Sequence, residues 1–321
     1  MILNSIDFLN LLDNLPDKRQ ASEYYFSDFI ELHTLVSIDK RISLSDMLKV
    51  VNNQIDLNLG DEDRSATYNK WEEKVKSWFG ILENRSNTFG DVYPFIVTYD
   101  FKISLKETLN EKHITYIFLL LSANNRYIRD HQNQITTDFE VLSKEAFKQF
   151  LPVSANTYLF GKSMIGLDRY TGHITKKIDL LAADLNLKTV YDEHYFTNTD
   201  TGDGGIDIVS WIPFDNDINT RFIQTYLVQC STGDDWKNKQ DDCDKFFDYI
   251  HFQVQPQKVM FVPKAFRNKN GTFNEEKVMR NLIFFDRLRI ILLLKDDYSI
   301  INSLETKKLV SQIIALEKDI V

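Results

Sequence analysis

Thr201-Gly-Asp-Gly-Gly-Ile-Asp-Ile-Val-Ser-Trp211 is the stretch on which the fold of this chain turns. It holds three of only 11 glycines in 321 residues, and with 6 prolines beside them there are few places where the backbone can turn tightly. A glycine loop that cradles phosphate follows a strand and opens a helix. Here Ile206, Ile208, Val209 and Trp211 come after the glycines and read as a strand, so P-loop and dinucleotide readings fail on context. Asp207, flanked by Ile206 and Ile208, points to the opposite face of that strand. A carboxylate at the mouth of a strand, reached through a glycine turn, can hold a hard divalent cation.

Downstream, the strand Tyr226-Leu-Val-Gln-Cys-Ser231 places Gln229 where pairing would bring its amide oxygen beside Asp207. The segment Thr232-Gly-Asp-Asp-Trp-Lys-Asn-Lys239 then turns and starts a helix carrying Lys237 and Lys239. Further runs of β type cover 188–195, 258–266 and 281–285, with helical stretches at 175–185, 235–250, 287–294 and 304–320. Upstream, residues 1–150 read mainly as helices. Ser45 is the expected cap of a helix through Met47, Leu48 and Val51, and Ser65 of one through Trp71, Val75 and Trp78. An apolar helix covers 114–123, and Asp138 is the expected cap of one carrying Phe139, Leu142, Ala146, Phe147 and Phe150. The order predicts an α+β/α/β chain: a mainly helical domain over 1–155, then an α/β domain over 156–321 with a central mixed sheet.

Composition narrows the function classes. A net charge of −9 argues against coating nucleic acid by bulk charge, although 258–295 holds 9 basic against 3 acidic residues and is a local candidate for phosphate contact. Within it, Asp286 reads as a helix cap, with Arg287 and Arg289 either available to a phosphate or merely adjoining the cap. Two cysteines, Cys230 and Cys243, are too few to staple a fold, which suits a reducing cytosol. No secretory leader is visible and no apolar run approaches the ~20 residues of a membrane span, so the expectation is a soluble, cytoplasmic protein with no membrane partner. The six histidines never fall at zinc-ligand spacing. Cys230, with no histidine near it in sequence, reads as a small buried apolar residue, and Asp203 reads as a turn residue.

GDGGID, a short hairpin and a strand ending at Gln229 resemble the restriction-endonuclease-like PD-(D/E)XK nucleases, in particular their Mrr-type branch, over roughly 160–270. The resemblance implies a helix followed by three strands, a metal-dependent endonuclease that hydrolyses phosphodiester bonds of DNA, and prokaryotic anti-phage defence or restriction. It implies Mg²⁺ or Mn²⁺ held by Asp207, Gln229 and the main-chain carbonyl of Cys230, with double-stranded DNA as the partner. A protein partner for the N-terminal half and a homo-oligomer stay open. The chain departs from the pattern at Ser231, which stands where the motif lysine belongs, and at Thr175, near the position of a helical glutamate. Lys239, one turn beyond Trp236, is the first choice for a migrated lysine and Lys237 the second. Asp203 or Asp179 are the candidates for the missing acid. The alternative is a catalytically degenerate nuclease fold serving as a nucleic-acid-binding or scaffolding subunit.

Overall fold

A computed structural model describes residues 3–16, 22–53, 61–161, 169–197, 202–214 and 221–320. Thr201 and the side chain of Ser65 lie outside this description. The chain is mixed α/β and divides into two compact units, one formed by 1–133, 265–276 and 301–321, the other by 134–264 and 277–300.

The first unit contains α1 (Ser5–Leu12), α2 (Glu23–Val36), β1 (Arg41–Ser43), α3 (Leu44–Asn52), α4 (Asp61–Phe89), β2 (Phe95–Thr98), β3 (Lys102–Leu105) and α5 (Glu111–Ala123). The helix numbered α9 (Thr306–Ile314), near the end of the chain, also belongs to it. Its three strands pair antiparallel in the order β1-β3-β2. The cap of α3 is Ser43 rather than Ser45: the Ser43 hydroxyl accepts from the Asp46 amide, and the Asp46 carboxylate accepts from the Ser43 amide. Helix α2 is buried almost all round, so its acidic residues need internal partners. Arg85 supplies them, 2.8 Å from Asp28 and 2.9 Å from Glu31, while the Tyr93 and Tyr116 hydroxyls also donate to Glu31.

The second unit is built on a five-stranded mixed sheet. Its elements are α6 (Gln132–Phe150), β4 (Asn156–Leu159), α7 (Ile174–Asp184), β5 (Lys188–Thr189), β6 (Ile208–Trp211), β7 (Thr225–Cys230), a 3-10 helix (Asp234–Asp248), β8 (Ile250–His251), β9 (Gln257–Phe261), β10 (Ile283–Phe285) and α8 (Arg287–Leu294). The sheet order is β10-β9-β7-β6-β4, with β4, β6 and β7 antiparallel and β7, β9 and β10 parallel. The expected run 188–195 shrinks to β5, which pairs with β8 outside the main sheet. On one face Phe147 of α6 sets its ring 5.6 Å from Tyr226, 5.9 Å from Phe261 and 6.3 Å from Phe285. On the other face Ile178 and Leu181 of α7 and Cys243 and Phe246 of the 3-10 helix join Val209 and Leu227 in a second core.

Two further expectations need correction. Helix α6 starts six residues before Asp138, which lies in its interior, buried, and accepts from the Gln134 side chain at 2.9 Å. The apolar face of α6 begins with Ile135, and packing carries the helix through a Thr-Thr-Asp sequence that locally mimics a start. The compact boundary falls at 133/134 instead of 155/156, which places α6 with the sheet, and the segments 265–276 and 301–321 return to the first unit.

Candidate functional site

Asp207 sits at the entry of β6 with its backbone pinned from both sides. Its amide donates to the Val228 carbonyl at 2.8 Å, and its own carbonyl accepts from the Phe160 amide at 2.7 Å. The side chain is buried, and one carboxylate oxygen, Oδ2, accepts from Gln229 Nε2 and from the Cys230 amide, both at 2.7 Å. The juxtaposition of Asp207 with Gln229 follows from the antiparallel register that sets Ile208 opposite Val228. Burial pushes the Asp207 carboxyl up to about 8, and the charge of Asp203 adds to this, while the Cys230 N–H and Lys239 oppose it.

The glycine turn is built for close approach. Gly204 and Gly205 take φ of +65° and +107°, and the Asp203 carboxylate accepts from the Gly205 amide at 2.8 Å. A Cβ on Gly205 would lie 2.4 Å from the Asp242 carbonyl oxygen, so only glycine lets this turn seat against the 3-10 helix. Asp203 is thus a turn residue whose charge also reaches the site. Asp179 is exposed and accepts from the Tyr191 hydroxyl, away from Asp207 in its bonding.

The acid that sequence reading missed comes from α6. A methyl placed on Gly161, just past β4, would meet Glu140 Oε2 at 3.0 Å and Asp207 Oδ1 at 3.6 Å, so both carboxylates face the same small space. Lys177 of α7 was missed as well. It is buried and donates to the carbonyls of Gly161 at 2.9 Å, Gly202 at 3.1 Å and Phe160 at 3.3 Å, which ties the loop after β4 to the glycine turn. Burial lowers its pKa, with Asp203 and Glu140 pulling the other way.

Gln229 lines a cleft of about 530 Å³ together with Asp203, Lys239, Asp242 and Lys245, while Asp207, Glu140 and Lys177 are not on its wall. A period of three residues per turn explains why Lys239, Asp242 and Lys245 share one face of the 3-10 helix while Gln240, Cys243 and Phe246 line the next and are buried. Lys239 stands on the cleft wall, 3.7 Å from Asp235, whereas Lys237 is exposed over the Trp236 ring and is not part of the wall. The thiol of Cys230 is buried and held well above its usual range by that burial, which removes it as a nucleophile.

Five of the nine basic residues of 258–295, the local candidate for phosphate contact, have partners inside the fold. Within the second unit Lys258 pairs with Asp241 and Asp244, Lys264 with Asp234 and Arg280 with Asp241. Asp286 does cap α8, accepting from the Arg289 amide at 3.1 Å, but Arg287 is buried on the Pro263 carbonyl and Arg289 donates to the Phe284 carbonyl.

Among the described residues no three His, Cys, Asp or Glu side chains converge as a metal cage, and no helix is long and apolar enough to cross a membrane. The donor set at Asp207 nevertheless suits a hard cation that keeps several waters. It offers two carboxylates and a main-chain carbonyl. Gln229, contrary to expectation, turns its amide nitrogen and not its oxygen toward Asp207 and the Cys230 carbonyl, because the carboxylate accepts the N–H, and this leaves Oε1 buried with no hydrogen-bond partner. Compared with protein-family models, with curated proteins and with solved structures, the chain finds no match in any of the three.

Proposed function

We propose that the chain is a divalent-cation-dependent endonuclease that hydrolyses phosphodiester bonds of DNA, with a restriction-endonuclease-like second unit and a role in prokaryotic defence. The observation that supports this best is the meeting of Asp207, Gln229 and Cys230 at one strand end with Glu140 beside them. Asp207, Glu140 and the Cys230 carbonyl would hold Mg²⁺ or Mn²⁺, with Gln229 Oε1 joining them only on a turn of its amide, and the cation would supply Lewis-acid stabilisation of charge on the phosphoryl oxygens. Lys239, on the cleft wall, orients the attacking water and the scissile phosphate. The Cys230 N–H and Gln229 Nε2 fix the Asp207 carboxylate in one orientation, and Lys177 holds the two loops that carry its neighbours.

The test is cleavage of plasmid and of single-stranded DNA by the full chain in Mg²⁺ or Mn²⁺. Asp207→Ala and Glu140→Gln should each lose at least about 100-fold in rate. Lys239→Ala should lose rate while still binding DNA, and Lys237→Ala should cleave normally. Cleavage unaffected by Asp207→Ala overturns the site. Ser231 in place of the motif lysine favours a second reading, a degenerate nuclease fold that binds without cutting; binding with no cleavage in either metal would establish it over the first.

A further inference from the structure

The cleft has a side that the hydrolytic chemistry leaves unused. Tyr195, Phe196 and Tyr249 line it. Phe196 and Tyr249 set their rings 5.2 Å apart, Tyr249 lies 5.5 Å from Phe246, and Phe246 lies 5.3 Å from Phe160. Phe160 donates its amide to the Asp207 carbonyl, so this aromatic column is anchored in the core and ends beside the acidic centre. Tyr195 stands at its rim, 77% exposed, and among the described residues its ring has no ring partner.

Charge on the cleft wall is balanced. Asp203 and Asp242 face Lys239 and Lys245, and Lys245 is bonded to Asp242 at 3.0 Å. A sugar-phosphate backbone therefore gains little net attraction from this wall, and affinity has to come from a contact that is not ionic. Base-on-ring stacking is such a contact, and it is available only to a base whose face is free; in a duplex both faces are covered by neighbouring pairs. The cleft, at about 530 Å³, is in the size range of small-ligand pockets.

We infer that the cleft takes an unpaired nucleotide, its base stacked on Tyr195 and its phosphate directed toward Lys239, which makes single-stranded DNA the preferred substrate. This rests on the reading of the site as a phosphodiester hydrolase and narrows its substrate class to single strands, where the resemblance implies double-stranded DNA.

The experiment is fluorescence anisotropy with the full chain in EDTA, so that binding is read without turnover. The probes are a labelled single-stranded deoxyoligonucleotide, its duplex, and the same strand carrying abasic sites. The single strand should bind more tightly than the duplex. Tyr195→Ala should weaken it about 5- to 150-fold and Tyr195→Phe should not. The abasic strand should bind the wild type as weakly as the intact strand binds Tyr195→Ala, with no further loss when both changes are combined. Tighter binding of the duplex, or unchanged single-strand binding by Tyr195→Ala, overturns the inference even in a chain that cleaves DNA. A chain that shows the Tyr195 and abasic pattern in EDTA but never cleaves in Mg²⁺ or Mn²⁺ supports the base subsite and overturns only the hydrolase reading.

Discussion

Asp207 is a buried carboxyl pushed up to about 8 from the 3.8 of an unfolded chain. The fold thus favours its neutral form, and the stability this confers is complete below pH 4 and lost progressively as pH rises toward 8. Asp207→Asn keeps the shape and can still accept from the Cys230 amide, so in cation-free buffer at pH 8 it should raise Tm above wild type, with the gap closing at pH 4. Calorimetry across that range checks it, and a wild type equally stable at both ends would mean that the carboxyl is not neutralised by the fold. At pH 7 cation binding should release up to one proton per chain in wild type and none in Asp207→Asn, measured by titration in weakly buffered solution. Asp207 was legible in the sequence because Gly204, Gly205 and an apolar strand leave an aspartate few other roles there. Glu140 and Lys177 were not. Each reads as an ordinary polar position on a helix, and only the pairing of β4 beside β6 and the packing of α7 bring them to Asp207 from distant parts of the chain.

At the level of elements, the join between the glycine turn and the 3-10 helix is the tightest point of the site. Gly205→Ala would force a left-handed φ on an L-residue and drive a methyl into the Asp242 carbonyl, so a loss of about 3 kcal/mol or more in stability is expected. Because Lys239 and Asp242 share that helix, cleavage should fall further than the stability loss alone explains; urea denaturation beside a rate measurement at low temperature separates the two. Gly202→Ala, with open space around its added carbon, serves as the control that should cost little. The helix itself was located in the sequence, but its pitch was not. Trp236, Gln240, Cys243 and Phe246 fit spacings of both three and four, and the choice is made by Cys243 and Phe246 having to reach the same core as Leu227. Helix α8 was read to the residue because Asp286 caps it and no competing cap is nearby.

At the level of the whole molecule, the two units are interleaved in sequence. A fragment of 156–321 lacks α6, and with it Phe147 and Glu140, while keeping two segments that belong to the first unit. It should show no cooperative thermal transition by circular dichroism, and a sharp transition would mean that α6 is dispensable. A simple split in two was the natural expectation, since charge and element type change near residue 150 and nothing local marks 265–276 or 301–321 as returning segments.

That return also orders events during synthesis. The last stretch of chain contributes α9, the Lys318 amide that donates to the Val36 carbonyl at 2.7 Å, and the Lys318 ammonium on the Leu9 carbonyl at 2.8 Å. The ribosome has made every residue of the unit with the five-stranded sheet before it has made these, so the unit that begins first is the one that closes last, and the candidate site emerges while its companion is still an unfinished fold.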